Sequence, residues 1–265
     1  MLFRSFRAED YVVQEDAFAI VTADGWIKRI RQNNEVSSTR LREGDSILRA
    51  HPLNTLDSVA FFTSMGSFYT LKVSDFPSSS GYGDPIQKIL KFKDGEKIVE
   101  SFGICANAPA QGSILESYKY MIKEGDVLIL VSKSGTGFAL KLEEIGAVKR
   151  NGKRIMKLRE GDELAVACHF ASKLAMFTRQ ASGLIINTKE IPVREAAVVG
   201  VALMGVREDD VLVAGISFDS KAKFNLKLSA GKDKEIASGE MLSGHRALKG
   251  NKVVSRAEIT GVERI

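Results

Sequence analysis

The stretch from Phe61 to Pro77 reads as two apolar-rich arms parted at Met65-Gly66, and apolar and polar residues alternate along the second. On its second arm Phe68, Thr70 and Lys72 fall on one face and Tyr69, Leu71 and Val73 on the other, the period of two that a half-buried strand requires. The pattern predicts a strand, a tight turn at Met65-Gly66 and a second strand that stops at Pro77. It recurs. Related runs follow Thr22 (Thr-Ala-Asp-Gly-Trp-Ile-Lys-Arg-Ile), Ser132 and Thr178, the last with Pro192 where the first example has Pro77, and a worn copy follows Ser217. Five hairpins are therefore predicted, starting at Thr22, Thr63, Ser132, Thr178 and Ser217.

A second element follows each hairpin: an apolar residue, a turn built on glycine or aspartate among acids, and an apolar strand. It reads Leu41 to Leu48, Phe92 to Val99, Leu158 to Ala165 and Val206 to Val213, with a fifth copy from Ala247 to Val254 in which lysine and asparagine replace the acids. Glycine and aspartate supply the turn conformations, and the acids are expected to stay in water. The unit is thus about four strands over roughly 40–50 residues, the period of a bladed array. One such blade cannot bury both faces, so blades must stack, and closure of the array limits exposed edges. The expected blades are 10–50, 51–104, 124–170, 171–215 and 216–262, with 105–123 an insertion. No segment sustains a helical period; Ser113 to Lys123, inside that insertion, comes nearest.

At 265 residues the chain can hold one large all-β domain or two smaller ones, and the repeats favour a single domain over 1–265. A hydrophobic share of 44% is ordinary for a globular chain. No apolar run approaches the roughly 18 residues of a transmembrane helix, and the first ten residues lack a signal peptide's apolar core and cleavage site. No membrane partner is expected. Two cysteines, Cys105 and Cys168, make no disulfide framework and fit a reducing cytoplasm, each as a small buried hydrophobe. A start directly on a repeat suggests a piece of a longer subunit.

The net charge is +5, which alone says little; its distribution says more. Lys28, Arg29, Arg31, Arg40, Arg42 and Arg49 crowd the first repeat, and Lys149, Arg150, Lys153, Arg154, Lys157 and Arg159 follow the third hairpin with no acid among them. Lys28 and Arg29 replace apolar or neutral residues of later repeats (Tyr69-Thr70, Phe138-Ala139, Leu184-Ile185), which predicts an exposed arm facing something negative. Lys88, Lys91 and Lys93 in the second loop and Arg246, Lys249 and Lys252 in the fifth continue the series; the fourth loop has only Arg194. Equivalent positions in a closed array lie along one rim, where such cations suit a bent duplex held through its phosphates. Trp26 and Tyr82 could stack on bases, but packing is the commoner role of single aromatics. His51, His169 and His245 have no cysteine or carboxylate at metal-ligand spacing, so neither a metal nor a cofactor is expected. The acids recur once per blade, as turn residues do and an acid–base pair does not. No nucleophile elbow, phosphate loop or dinucleotide fingerprint occurs, and no catalytic set is predicted. A propeller that docks a protein or peptide, with the cations as plain solvated surface, is the alternative.

Three runs carry a family resemblance: Asp24 to Arg29, the Phe-Phe-Thr-x-x-Gly-x-x-Tyr-x-Leu-Lys-Val run from Phe61 to Val73, and Lys157 to Leu164. Taken in order they resemble the C-terminal domain of the A subunit of bacterial DNA gyrase and topoisomerase IV, from Asp10 to about Asp210. The resemblance implies a β-pinwheel, a propeller-like disc of about five four-stranded blades whose basic outer edge bends and wraps double-stranded DNA. It further implies a monomeric, nucleoid-associated module without its own chemistry. Its partners would be the preceding breakage-reunion domain, which holds that family's catalytic tyrosine, and the ATPase B subunit. Gyrase carries a glycine-rich basic box, Gln-Arg-Arg-Gly-Gly-Lys-Gly, after its first hairpin. Here the loop from Arg31 to Arg40 has no glycine, and only Arg150 to Arg154 and His245 to Lys252 are box-like. That departure, with five hairpins, favours the topoisomerase IV type.

Overall fold

The computed structural model describes residues 13–32, 35–105, 120–143, 145 and 149–265. Among them every regular element is a strand or a single 3-10 turn, so the all-β expectation holds. The helical candidate at Ser113 and most of the 105–123 insertion lie outside the described residues. The strands form five small sheets, distributed over two compact units. The first is drawn from Met1–Phe62, Phe68–Glu124 and Glu144–Lys153, and the second from Thr63–Ser67, Gly125–Glu143 and Arg154–Ile265.

Two sheets organise the first unit. Sheet 1 pairs β1 (Asp16–Thr22) with β2 (Trp26–Arg31) as a hairpin. Its returning strand, β3 (Ile47–Asn54), lies on the free side of β1, and the two-residue β6 (Asp84–Pro85) lies outside β2. Sheet 2 repeats the plan with β4 (Ser58–Thr63), β5 (Ser67–Lys72) and the returning β7 (Ile98–Ile104), and β10 (Lys149–Arg154) is its outer strand. All six residues of β4 are buried, because both faces of the sheet are covered and alternation no longer separates core from solvent. Phe61, Tyr69, Leu71, Val73 and Phe76 share one core with Val21, Ile27 and Ile86.

The second unit holds three sheets. Sheet 3 contains β8 (Val127–Ser132), β9 (Thr136–Lys141) and the returning β11 (Leu164–His169), with β14 (Val193–Arg194) and β15 (Val201–Ala202) both on β9. Sheet 4 contains β12 (Lys173–Thr178), β13 (Ser182–Asn187), the returning β16 (Leu212–Phe218) and the outer β19 (Asn251–Lys252). Sheet 5 has three strands, β17 (Lys223–Leu228), β18 (Lys234–Ala237) and β20 (Ile259–Arg264). Phe224 joins sheets 4 and 5, with its ring centroid 5.4 Å from Phe177 and 5.7 Å from Phe218.

The sheets are therefore not contiguous stretches such as 10–50 or 51–104. Each of the first four takes its outer strand from the loop of the following repeat. Two expectations fail at the fifth repeat. Ser217 lies in β16, and the chain crosses between sheets at Asp219–Lys221; the fifth hairpin is β17–β18, turning near Gly231, whose φ is +79°. Polar turn residues mark the crossing and the hairpin alike, so composition could not separate them. The copy from Ala247 to Val254 contains the outer strand of sheet 4, and the fifth returning strand is β20.

The recurring acids do structural work and do not simply stay in water. Asp45 accepts from the backbone N–H groups of Asp24 (3.1 Å) and Ser46 (2.7 Å), clasping the return turn to the hairpin turn of its own repeat. Asp162 does the same with Ser134 and Glu163, and Asp210 with Gln180 and Val211. In the second unit these turns also form a backbone relay. Leu164 N–H donates to the Ser64 carbonyl, Leu212 N–H to Lys133 and Ile259 N–H to Arg179, each at 2.8 Å.

In the first unit, a polar seam joins the returning strands of sheets 1 and 2. Arg49 meets Glu100 at 2.5 Å, and the His51 ring lies 2.9 Å from the Ser101 hydroxyl. Burial, aided by Arg49, holds the His51 pKa down at about 3. An unfolded histidine titrates near 6.5, so the unfolded chain takes up the proton first on acidification. The stabilisation is complete above about pH 6.5 and is lost progressively as pH falls toward 3, at up to about 1.4 kcal/mol per pH unit. Urea titrations should show a His51-dependent loss of about 2 kcal/mol between pH 7 and 5. An equal loss in His51→Asn would assign the pH dependence to other groups.

Candidate nucleic-acid interface

Strand exchange decides where the basic loops go. Because each outer strand comes from the following repeat's loop, the third loop's cations lie on the outer edge of sheet 2. There Arg150, Lys153 and Arg154 are exposed and Lys149 half-buried. The backbone is fixed underneath: Lys149 N–H donates to the Thr70 hydroxyl at 2.8 Å and Lys91 N–H to the Arg150 carbonyl at 3.0 Å. Exposed Lys91 thereby joins the same edge. Arg150 reaches Asp75 at 3.1 Å, an exposed ion pair that a phosphate could replace at little cost. Lys153 and Arg154 have no ion-pair partner among the described residues.

Gly152 seats this strand. Its φ is +74°, and a Cβ there would lie 2.6 Å from the Tyr69 ring. The Tyr69 hydroxyl, pushed up to about pKa 12 by burial and then by Glu96, donates to that carboxylate at 3.1 Å. Gly250 does the corresponding work in the second unit, where a Cβ would lie 2.4 Å from the Gly183 carbonyl oxygen. It brings β19 against β13 and leaves Lys249 and Lys252 exposed. Arg246 is exposed too, and its N–H donates to Glu190 at 3.1 Å.

Sheets 1 and 3 carry less free charge on their outer edges. Lys88 is ion-paired with Asp84, and Arg194 is followed by Glu195, which lies 3.6 Å from Lys141. Arg31 and Arg40 are exposed, and the Arg42 guanidinium lies over the Trp26 ring at 4.7 Å. Trp26 thus packs within its own repeat, while Tyr82 is exposed. The predicted cations come together at the edges of sheets 2 and 4; those of sheets 1 and 3 are partly neutralised.

The basic pair of the first hairpin is a correction. Lys28 is 1% exposed. Its ammonium donates to the carbonyls of Arg40 (2.6 Å) and Gly81 (2.7 Å), and burial lowers its pKa. Its counterparts Tyr69, Phe138 and Leu184 are all buried. The position is a core pillar under the outer segment in the first four repeats, and in the first an ammonium replaces apolar contact with two hydrogen bonds. Arg29 is half-buried and donates to the Ser74 carbonyl at 3.1 Å. Lys28→Met should therefore lower the melting temperature yet leave the salt slope of duplex binding unchanged. A slope reduced by about one would mean that Lys28 meets a phosphate.

Among the described residues no three histidine, cysteine or carboxylate side chains gather as a metal site, and no helix is long and apolar enough to cross a membrane. Cys105 is half-buried, its thiol pushed up to about pKa 11 by burial and the charge of Asp57, which leaves it unreactive at neutral pH.

Known proteins share this arrangement. The chain is 29% identical over 248 residues to the A subunit of DNA topoisomerase 4 from Caulobacter vibrioides, covering 92% of this chain and 30% of that protein. It is 26% identical over 255 residues to the A subunit of DNA gyrase from Escherichia coli, covering 91% and 27%. It therefore spans about a third or less of the length of these relatives. Its fold is that of the crystallised C-terminal domain of DNA topoisomerase IV, with a TM-score of 0.77 at 19% identity over 96% of this chain and 79% of that one. The E. coli ParC C-terminal domain has a TM-score of 0.71 at 18% identity over 95% and 99%. Residues 57–100, 126–168 and 172–219, the second, third and fourth repeats, match the DNA gyrase C-terminal domain, β-propeller family. Matched over about half its length and built from the same blade-like sheets, the chain belongs to the DNA gyrase C-terminal domain family of β-propellers.

Proposed function

We propose that this chain is a non-catalytic module that binds and bends double-stranded DNA for a bacterial type IIA topoisomerase A subunit, of the topoisomerase IV type rather than gyrase. It works in the cytoplasm on the nucleoid as part of the longer subunit. Strand breakage and ATP hydrolysis belong to the breakage-reunion domain and the B subunit, and this module positions the duplex for them. The observation that carries the reading is the glycine-seated outer strand of sheet 2, with Arg150, Lys153 and Arg154 exposed and Lys149 half-buried on a fixed backbone.

Such an edge offers charge without base-reading geometry. It predicts binding that ignores sequence and falls steeply with salt as counterions return to the phosphates. Religating a nicked circle with the domain bound tests the bending. A topoisomerase IV type module should change linking number little, whereas a strong positive shift would assign the gyrase type. Affinity insensitive to salt would remove the DNA reading altogether.

A further inference from the structure

At the end of sheets 4 and 5 remote from their hairpin turns, the second unit opens into a cleft of about 760 Å³. Its floor is apolar: Ile185, Phe218 and Met241 are each buried in the core yet line the opening. Its rim is cationic. Lys173 begins β12, Lys221 and Lys223 flank the crossing into β17, and Arg264 ends β20. All four are exposed and none lies within ion-pair distance of a carboxylate among the described residues, though Arg264 is near enough to Asp219 to help its hydrogen bonds from Ser172 lower that carboxyl's pKa. The nearby carboxylates are engaged locally: Asp219 accepts from Ser172 N–H (2.9 Å) and its hydroxyl (2.7 Å), and Glu240 from Ala237 N–H (2.8 Å).

A second feature lies beside it. Sheets 1 to 4 each have an outer strand against the second arm of the hairpin, whereas β18 has none among the described strands. The end of that open edge, Ala237 and Ser238, forms one wall of the cleft. An unpaired edge takes an extended backbone by strand addition, and neighbouring pockets then select side chains. A duplex is too broad to press anything against the floor of so small a cleft. An extended peptide can: one large apolar side chain fills the floor while flanking carboxylates meet the lysines and Arg264. We propose that this cleft, together with the edge of β18, docks an extended acidic peptide segment of a partner protein, anchored by a large apolar residue. The site is independent of the outer strands that the DNA reading uses.

The test uses the whole chain and a short fluorescein-labelled peptide alternating glutamate with leucine and phenylalanine, followed by anisotropy. Saturable binding is expected, weakened about tenfold or more by Lys221→Glu with Lys223→Glu, and similarly by Lys173→Glu alone as a second variant on the neighbouring sheet. Melting curves matching the parent show that the variants are folded. Glutamate substitution at Lys149, Arg150, Lys153 and Arg154 should leave peptide binding unchanged even where it removes duplex binding, which separates this site from the DNA reading. No saturation up to about 1 mM, equal binding of an all-glutamate peptide, or indifference to the cleft substitutions would each overturn the proposal.

Discussion

Replacing Lys149, Arg150, Lys153 and Arg154 together with glutamate is expected to abolish the gel shift of a linear duplex at physiological salt. These side chains lie on one short outer strand, and three of them are exposed. Losing four phosphate contacts should reduce the slope of log affinity against log salt by about 3–4, before the added repulsion of four acids. The substitutions touch no core side chain, and Arg150 loses only an exposed pair with Asp75, so the melting temperature should hardly move. The same exchange at Lys221 and Lys223 should leave the shift intact. Binding that survives the first quartet would shift the interface away from sheet 2.

Gly152→Val should have the largest effect of any single substitution on that edge, although it adds and removes no charge. A side chain there meets the Tyr69 ring and must adopt a φ of +74°. Backbone strain of about 1–3 kcal/mol adds to overpacking of about 1–3 kcal/mol. The outer strand should detach locally, with proteolysis appearing between Lys149 and Lys157 and duplex affinity falling tenfold or more. Gly161→Ala is the matched control. Its φ is +75°, with nothing within 4 Å of the added carbon, so about 1 kcal/mol of backbone strain is all it should show. Equal effects of the two would mean that the Tyr69 contact does not seat the strand.

Much of this architecture was legible in the sequence, because hairpins with long strands write their period into the chain. Thr63 to Val73 shows the alternation and the turn glycine, and Gly66 duly has a φ of +68°. The exchange of outer strands was not legible. β6, β14 and β19 are two residues long, too short for any period, and their positions depend on glycines whose close contacts exist only in three dimensions. Gly81-Tyr82-Gly83 reads as a loop, yet a Cβ on Gly83 would lie 2.3 Å from the Ile27 carbonyl oxygen, the mark of a docked outer segment. Lys28 misled for a related reason. A cation among apolar counterparts suggests exposure, but the position stays buried in the first four repeats, and two carbonyls satisfy the ammonium. The signal that could have found it was the burial expected of Tyr69, Phe138 and Leu184 by alternation. The fifth repeat went astray because its turn residues resemble those of the crossing at Asp219.

Acetylating lysines with and without bound duplex, and reading protection by mass spectrometry, asks directly which surface meets DNA. Lys91, Lys149, Lys153, Lys249 and Lys252 should be shielded by the duplex, while Lys221 and Lys223 should react at the same rate in both states. Shielding confined to Lys173, Lys221 and Lys223, with the outer-strand lysines still reactive, would contradict the assignment of the outer strands as the surface that holds DNA.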